Sequence, residues 1–301
     1  MRNCRGLLRV TLLGLVLSVT GVIVPNSTVA STDALLVKFE HSRGVDLNPD
    51  LVWILAVGSD ARPGENMTRV RGDALQLIGM NTETGAATSI GIARDSYVPI
   101  SGYGSNRINA ALYFGGPQLL GETVADLIGI EPDYVFVTRF PFFENMINDI
   151  GGIEVQNPTP FADSNLKPRG FPAGKVRLDG YGAMAFARIR HDLPGGDFDR
   201  SANQQRVLKG IQARIAERAH QPGFIESGVL TVMKHLHTDL GPGALFRIAQ
   251  AVAQVDPKKI TGCVVTGGFA NVGGASVVTP NHAQAESYGD QARDDATIEH
   301  C

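Results

Sequence analysis

The sequence predicts an α/β protein of the α+β type, and three short apolar runs are the first reason. Val52-Trp-Ile-Leu-Ala-Val57 ends at Gly58-Ser-Asp-Ala-Arg62, the pattern of a buried strand running into a polar loop. Ala74-Leu-Gln-Leu-Ile-Gly-Met-Asn81 and Ala86-Ala-Thr-Ser-Ile-Gly-Ile-Ala93 flank Thr82-Glu-Thr-Gly85, which predicts a hairpin. With Asn81 paired to Ala86, Asp73 falls opposite Arg94. The loop 61–72 then returns Asp60 and Arg62 to the same edge. Two carboxylates and two guanidiniums converging there suit a divalent cation and an anionic, phosphorylated substrate. Ordinary surface ion pairs at strand ends are the plainer alternative.

The rest of the chain alternates helices with short strands. Residues 96–109 read as a loop, with Pro99, Gly102 and Gly104. A helix is predicted from Gly116-Pro117, with Leu119, Leu120, Val124, Leu127 and Ile128 as its apolar stripe. Asp133 to Arg139 is a strand. Phe142, Phe143, Met146, Ile147 and Ile150 mark an amphipathic helix that Gly151 closes in a left-handed cap. After the strand Ile153-Glu-Val155, residues 156–176 read as a Pro-rich loop. Asp179 caps a helix that delivers Arg188 and Arg190. In extended backbone those two arginines share a face; in a continued helix they would diverge by about 200°. A long helix from Ser201 to Arg218 sets Arg200 and Gln204 four apart near the positive end of its dipole. Two more helices, Gly223 to His235 and Gly243 to Val255, lead to a strand from Ile260 to Thr266. Residues 281–301 read as a polar, mobile tail.

At 301 residues and 43% hydrophobic, the chain can bury one large core, and nothing suggests a second full domain. A formal net charge of −3 lacks the basic face of a general nucleic-acid binder, so no nucleic-acid partner is expected. Arg2, Arg5 and Arg9 precede an uncharged run from Val10 to Val24, which predicts export with the basic end kept inside. Residues 1–32 are thus expected to be a cytoplasmic stub and signal-anchor, and 33–280 one extracytoplasmic domain. Within that domain, 221–280 supplies C-terminal helices and a strand. The expected location is the cell membrane, spanned once; cleavage after Ala30 would make the protein secreted. Cys263 and Cys301 are both exported and are expected to form one disulfide, with two free thiols as the alternative.

Pyrophosphate spreads charge over two phosphorus centres, which a set of guanidiniums with a magnesium ion neutralises. No Walker-type loop and no G-x-S-x-G motif occurs, which argues against a nucleoside triphosphatase or a common serine hydrolase. Seven segments between residues 50 and 220 carry a family likeness. They are Gly58-Ser-Asp-Ala-Arg62, Arg71-Gly-Asp-Ala74, Ile92-Ala-Arg-Asp95, Arg107-Ile-Asn-Ala-Ala111 with Gly115-Gly-Pro117, and Gly151-Gly-Ile-Glu-Val155. Leu178-Asp-Gly180 through Ala187-Arg-Ile-Arg-His-Asp192, then Gly195-Gly-Asp-Phe-Asp-Arg200 with Gln204-Gln205, complete them. In this order and spacing the chain resembles the LytR-CpsA-Psr (LCP) proteins of bacterial envelopes.

The resemblance implies a three-layer α-β-α sandwich around a central, mainly antiparallel mixed sheet, with an apolar pocket for a polyprenyl chain. It implies a phosphotransferase that attaches a polyprenyl-pyrophosphate-linked glycopolymer to peptidoglycan through a phosphodiester. The partners would be that lipid-linked polymer, the peptidoglycan acceptor and the cytoplasmic membrane. Asp60 and Asp73 match the magnesium-associated aspartates, with manganese as a substitute ion. Arg94, Arg188, Arg190 and Arg200 match the pyrophosphate-contacting arginines, and Gln204 a polar contact. Arg62 would join that binding set; Arg94, Asp95, Arg188 and Arg190 would form the catalytic one. The family's Arg-Ser-Asp-Thr element is Arg71-Gly-Asp-Ala here, which keeps the carboxylate and loses two neighbouring hydroxyls. Asp95 is either the base for the attacking hydroxyl or a salt bridge orienting Arg94. Phe136, Phe140, Phe143, Met146 and Ile147 line the lipid channel or are plain core. An exported hydrolase acting on the same lipid with water, and a lipid-binding or regulatory protein without turnover, are the alternative functions.

Overall fold

The computed structural model describes residues 33–40, 48–190, 192–219, 221–224 and 235–301. The N-terminal apolar segment, Cys4, His191 and most of the helix predicted from Gly223 to His235 lie outside them. Among the described residues no helix is long and apolar enough to cross a membrane.

The three apolar runs become β2 (Leu51–Ser59), β3 (Gly72–Asn81) and β4 (Ala87–Gly91), an antiparallel meander. Gln76 faces Gly91 and Met80 faces Ala87, while the Asn81 amide donates to the Ala86 carbonyl at 2.9 Å. That is the register expected from the turn. With β1 (Ala34–Lys38), β7 (Tyr134–Thr138), β12 (Leu236–Thr238) and β13 (Ile260–Val264), the described strands make a sheet ordered β12-β1-β7-β2-β3-β4-β13. It is mixed: β1–β7, β3–β4 and the longest ladder, β2–β3, are antiparallel, whereas β7–β2, β4–β13 and β1–β12 are parallel.

Alternate residues of β2 enter different layers. Leu51, Trp53, Leu55 and Val57 share a core with Leu120 and Val124 of α1 (Ala110–Ile128) and Ala285 and Tyr288 of α6 (His282–Ala292). Val52 and Ile54 meet Ala251 and Val255, the former in α5 (Pro242–Gln254) and the latter just beyond it. A strand covered on both faces shows no polar alternation, which is why the run is apolar throughout. On the α5 side, α2 (Phe140–Asp149), α3 (Gly180–Arg188) and α4 (Asp197–Arg218) pack around Ile147, Phe186 and Val207. The layers are therefore helix, sheet, helix. Trp53 lies across from Gly79, where an added Cβ would stand 2.5 Å from the indole.

Several expectations are corrected. The loop predicted over 96–109 contains the hairpin of β5 (Tyr97–Ile100) and β6 (Gly104–Arg107), whose strands are too short to show a period. α1 is also helical ahead of the expected start, from Ala110; it breaks at Gly116, whose φ of 73° is non-helical, and the run from Pro117 begins where it was expected. Residues 156–176 hold β9 (Phe161–Asp163), β10 (Lys167–Phe171) and most of β11 (Gly174–Leu178), the last paired with β8 (Ile153–Asn157). α4 starts at Asp197, not Ser201. A further hairpin, β14 (Gly267–Val272) and β15 (Ala275–Pro280), follows β13. Residues 281–301 are no polar tail: Ala285, Tyr288, Ala292, Ala296 and Ile298 are buried in the core. Alanine buries against a close neighbour while adding little apolar character, so the segment reads as more polar than its packed face is. The disulfide between Cys263 and Cys301, with Cα atoms 5.3 Å apart, ties the last residue to β13.

Candidate active site

β2 runs out into Asp60, whose amide donates to the Arg71 carbonyl at 3.3 Å, so the loop returns to the strand edge as expected. Next to it the β2–β3 ladder slips. Gly58 pairs with Ala74 and Ser59 with Gly72, leaving Asp73 as an unmatched bulge residue. A bulge re-aims the extra side chain out of the strand's regular alternation, and Asp73 forms an ion pair with Arg94 just beyond the end of β4.

α3 brings the next two arginines. The Asp179 carboxylate accepts from the Gly182 amide at 2.7 Å and caps its start. Its end is set by Ile189, buried and extended at φ −60°, ψ 135°. Arg188 and Arg190 flank that buried residue and both return to the cluster. Arg188 Nη2 lies 3.3 Å from Asp60 Oδ1 and 3.2 Å from Asp73 Oδ2, with its guanidinium over the Phe140 ring. Arg190 Nη1 lies 3.6 Å from Asp95 Oδ2 and 3.5 Å from Asp197 Oδ1. Asp95 also faces Arg94 and, at 3.5 Å, Arg107; Asp197 holds Arg200 at 3.1 Å from the first turn of α4. The result is a row of alternating charge, Asp60, Arg188, Asp73, Arg94, Asp95, Arg190, Asp197, Arg200.

The row is electrostatically tense at both ends. Burial first, then the neighbouring Asp73 carboxylate, raise the pKa of Asp60 above its ordinary value, against the pull of Arg188, Arg94 and Arg62. Burial lowers the pKa of Arg200, which Asp197 only partly offsets. In the middle, burial opposes the charge of Arg94, but Asp73, Asp95 and Asp197 together raise its pKa. Several buried polar atoms of the row, and of Arg107 beside it, lack a hydrogen-bond partner: Nε of Arg94, Arg107 and Arg200, and Asp197 Oδ2. Buried guanidinium donors left open call for an acceptor, and a multiply charged oxyanion supplies several at once.

The remaining expected residues sit at the margins. Arg62 is exposed and acts on Asp60 only through space. Gln204 lies behind the row: its Nε2 donates to the Ala187 carbonyl at 3.3 Å, and its Oε1 accepts from Gln76 at 3.0 Å. It braces α4 against β3. Arg107 and Asp197 were not singled out as site residues from sequence, although both lie inside quoted motifs; an Arg and an Asp beside glycines give no hint of partners that distant. Among the described residues no three Asp, Glu, His or Cys side chains gather as a metal cage. Asp60 and Asp73, both facing Arg188, offer two carboxylates, which suits a hard cation whose other ligands are phosphate oxygens and water.

The LytR_cpsA_psr family model matches residues 20–294. The chain belongs to the LytR_cpsA_psr family. A relative of this LytR_cpsA_psr protein from Bacillus subtilis (strain 168), the polyisoprenyl-teichoic acid–peptidoglycan teichoic acid transferase TagU, is 30% identical over 227 residues, 70% of this chain and 72% of its own. TagU of Bacillus cereus is 30% identical over 196 residues, 65% of this chain. The match spans 62% of that relative's length. Among solved structures, B. subtilis TagV aligns with a TM-score of 0.69 at 25% identity, covering 82% of this chain and 97% of that one. A structure of TagT bound to LI-WTA aligns at 0.66 and 24% identity, covering 83% and 92%, a likeness of fold.

Proposed function

We propose that this protein is an extracytoplasmic phosphotransferase that moves a glycopolymer from a polyprenyl pyrophosphate carrier onto peptidoglycan. The observation that carries this reading is the alternating row, in which the buried Nε atoms of Arg94 and Arg200 make no hydrogen bond, that of Arg94 lying 3.8 Å from Asp95. A pyrophosphate laid along it would satisfy those donors and meet several guanidiniums at once. The names of the relatives, teichoic acid transferases, support the same polymer class and acceptor.

In the reaction, an acceptor sugar hydroxyl attacks the phosphorus nearer the glycopolymer. The new O–P bond forms as the bond to the bridging oxygen breaks, and the electron pair leaves with polyprenyl monophosphate. Arg94, Arg188 and Arg190 meet the charge that grows on the phosphoryl and leaving oxygens. Asp95, on the side away from Asp60, accepts the hydroxyl's hydrogen bond and then its proton; in a loose transition state that transfer comes late, so orientation is the larger part of its task. Arg107 holds Asp95 in place. Magnesium or manganese, held by Asp60 and Asp73, would supply charge neutralisation on the phosphate oxygens. Phe140, half-buried under the Arg188 guanidinium, suits the lipid end; Phe143 and Met146 pack on the Phe186 core and Phe136 on the Val52 core, and Ile147 is fully buried. Residues 10–24 would anchor the chain in the cytoplasmic membrane, with the body outside.

The test is the full chain in detergent with a polyprenyl-pyrophosphate-linked saccharide, magnesium and peptidoglycan fragments, followed by mass spectrometry. A phosphodiester-linked saccharide on the glycan, lost in Arg188→Ala and Asp73→Ala, is expected. Free saccharide phosphate as the sole product would replace transfer by hydrolysis, and bound but unreacted lipid would replace it by a carrier role.

A further inference from the structure

Along Asp95, Arg190 and Asp197 the row opens into a cavity of about 340 Å³, lined also by Phe269 and Val277 among others. Its outer wall is the β14–β15 hairpin, which is fastened to the site itself. The Val278 amide donates to the Asp95 carbonyl at 2.9 Å, Val278 bridges Ser96, and Arg107 donates to the Ser276 carbonyl. Phe269 on this hairpin is 65% exposed, with its ring packed on Phe198 of α4 at 5.5 Å. A lone exposed aromatic means little. This one is held in place by a second ring, on the wall of a cavity that ends at two site carboxylates.

We propose that this cavity is the subsite for the acceptor saccharide, with Phe269 as the platform for one pyranose ring. The inference rests on the transferase reading above. In phosphoryl transfer the attacking and leaving oxygens lie roughly in line through phosphorus. The half-buried Phe140 ring under Arg188 gives the leaving lipid an apolar neighbour at that end of the row, so in this reading the attacking hydroxyl enters from the opposite side, where the cavity lies. Its chemistry fits a sugar. Carboxylates and a guanidinium on one side bind hydroxyls, and an aromatic face on the other takes the C–H face of the ring. The volume is at the small end of ligand sites, roughly 300–1,000 Å³, enough for one or two rings rather than a polymer.

The experiment titrates the full chain in detergent with the disaccharide N-acetylglucosaminyl-N-acetylmuramic acid, the repeating unit of the peptidoglycan glycan. Binding is read by saturation-transfer NMR and, separately, acceptor and donor KM are read in the transfer assay. Phe269→Ala is expected to weaken disaccharide binding and raise acceptor KM about tenfold, on the order of 1.4 kcal/mol, while donor KM moves less than twofold. Phe269→Trp, which keeps a stacking face, is expected to restore both. Equal disaccharide binding by wild type and Phe269→Ala, or no binding by wild type, overturns the subsite whatever the enzyme proves to catalyse. A protein that binds the disaccharide through Phe269 yet releases only saccharide phosphate keeps the subsite and loses the transferase reading.

Discussion

Asp73 and Arg94 form an ion pair at the point where the β3–β4 ladder runs out. The register that sets Gln76 opposite Gly91 brings these two strand ends together, and the bulge at Asp73 turns its carboxylate out of the strand's alternation towards Arg94. Asp73 is buried and its other oxygen already meets Arg188.

Arg94→Ala leaves Asp73 buried with one partner in place of two. Stability should fall by about 2–3 kcal/mol, at or below the bottom of the range for breaking a buried pair, because Arg188 remains. The kcat should fall at least about 100-fold, as when a transition-state donor is removed. Chemical denaturation alongside single-turnover assays separates the two losses. Activity that survives in a folded Arg94→Ala protein would remove Arg94 from the catalytic set.

Asp60 carries the pH prediction. Its folded pKa is raised above 3.8 by burial and by Asp73, so the folded state binds that proton more tightly than the unfolded chain. Stability is therefore lost as pH rises from 3.8 through the raised value. Without magnesium, Asp60→Asn should be slightly more stable than wild type at pH 7. About half of the side chain is exposed, so the gain should not exceed about 0.5 kcal/mol. Melting curves at pH 7 and about pH 2.5 should show the gain disappearing at the lower pH, since both states then hold the proton. Magnesium should stabilise the wild type and not Asp60→Asn.

Asp95 and Arg107 should behave as one unit. Asp95→Asn is expected to lower kcat about 100-fold, the lower bound for a positioned acid–base group. Arg107→Ala should cost about tenfold, because it acts by holding Asp95 at 3.5 Å. The double variant should be no slower than Asp95→Asn alone. Multiplying effects would mean that Arg107 touches the substrate directly.

The disulfide should be a structural clamp. It closes a segment of sequence separation 38, for which the chain-entropy account gives about 3–4 kcal/mol. Cys301→Ser should lower the melting temperature, and reductant should do the same to wild type and nothing further to the variant. A melting temperature indifferent to reductant would show that α6 holds by packing alone.

Gly79→Ala tests the sheet. Its Cβ would meet Trp53 at 2.5 Å, in a core with no slack, and overpacking of this kind costs about 1–3 kcal/mol. Guanidinium unfolding followed by Trp53 fluorescence reads the loss directly.

Much of this site was legible in the sequence because it rests on local rules. The apolar runs, the turn at 82–85 and the alternation of Arg188, Ile189 and Arg190 fix the strands, one register and one pair of arginines, and each depends on residues close together along the chain. The family motifs named Asp60, Asp73, Arg94, Asp95 and Arg200 as well. Less legible were elements stabilised by partners far away. The β5–β6 strands are too short for a periodic signal, those of β14–β15 are exposed at most positions and so carry no apolar alternation, and α6 buries alanines that composition counts as weakly apolar.

What the sequence determined by itself was the identity of the strands, the hairpin register and the presence of a carboxylate and guanidinium set near one edge. The tertiary structure alone decided that Asp73 leaves the ladder as a bulge, that Asp197 enters the row and Arg107 flanks it at Asp95, and that Gln204 braces α4 instead of facing the cluster. Local pattern is set by the geometry of a few consecutive residues. The order of charges in the row depends on how α3, α4 and two hairpins dock on the sheet, and that docking is driven by nondirectional burial of apolar surface, which leaves no short-range trace in the chain.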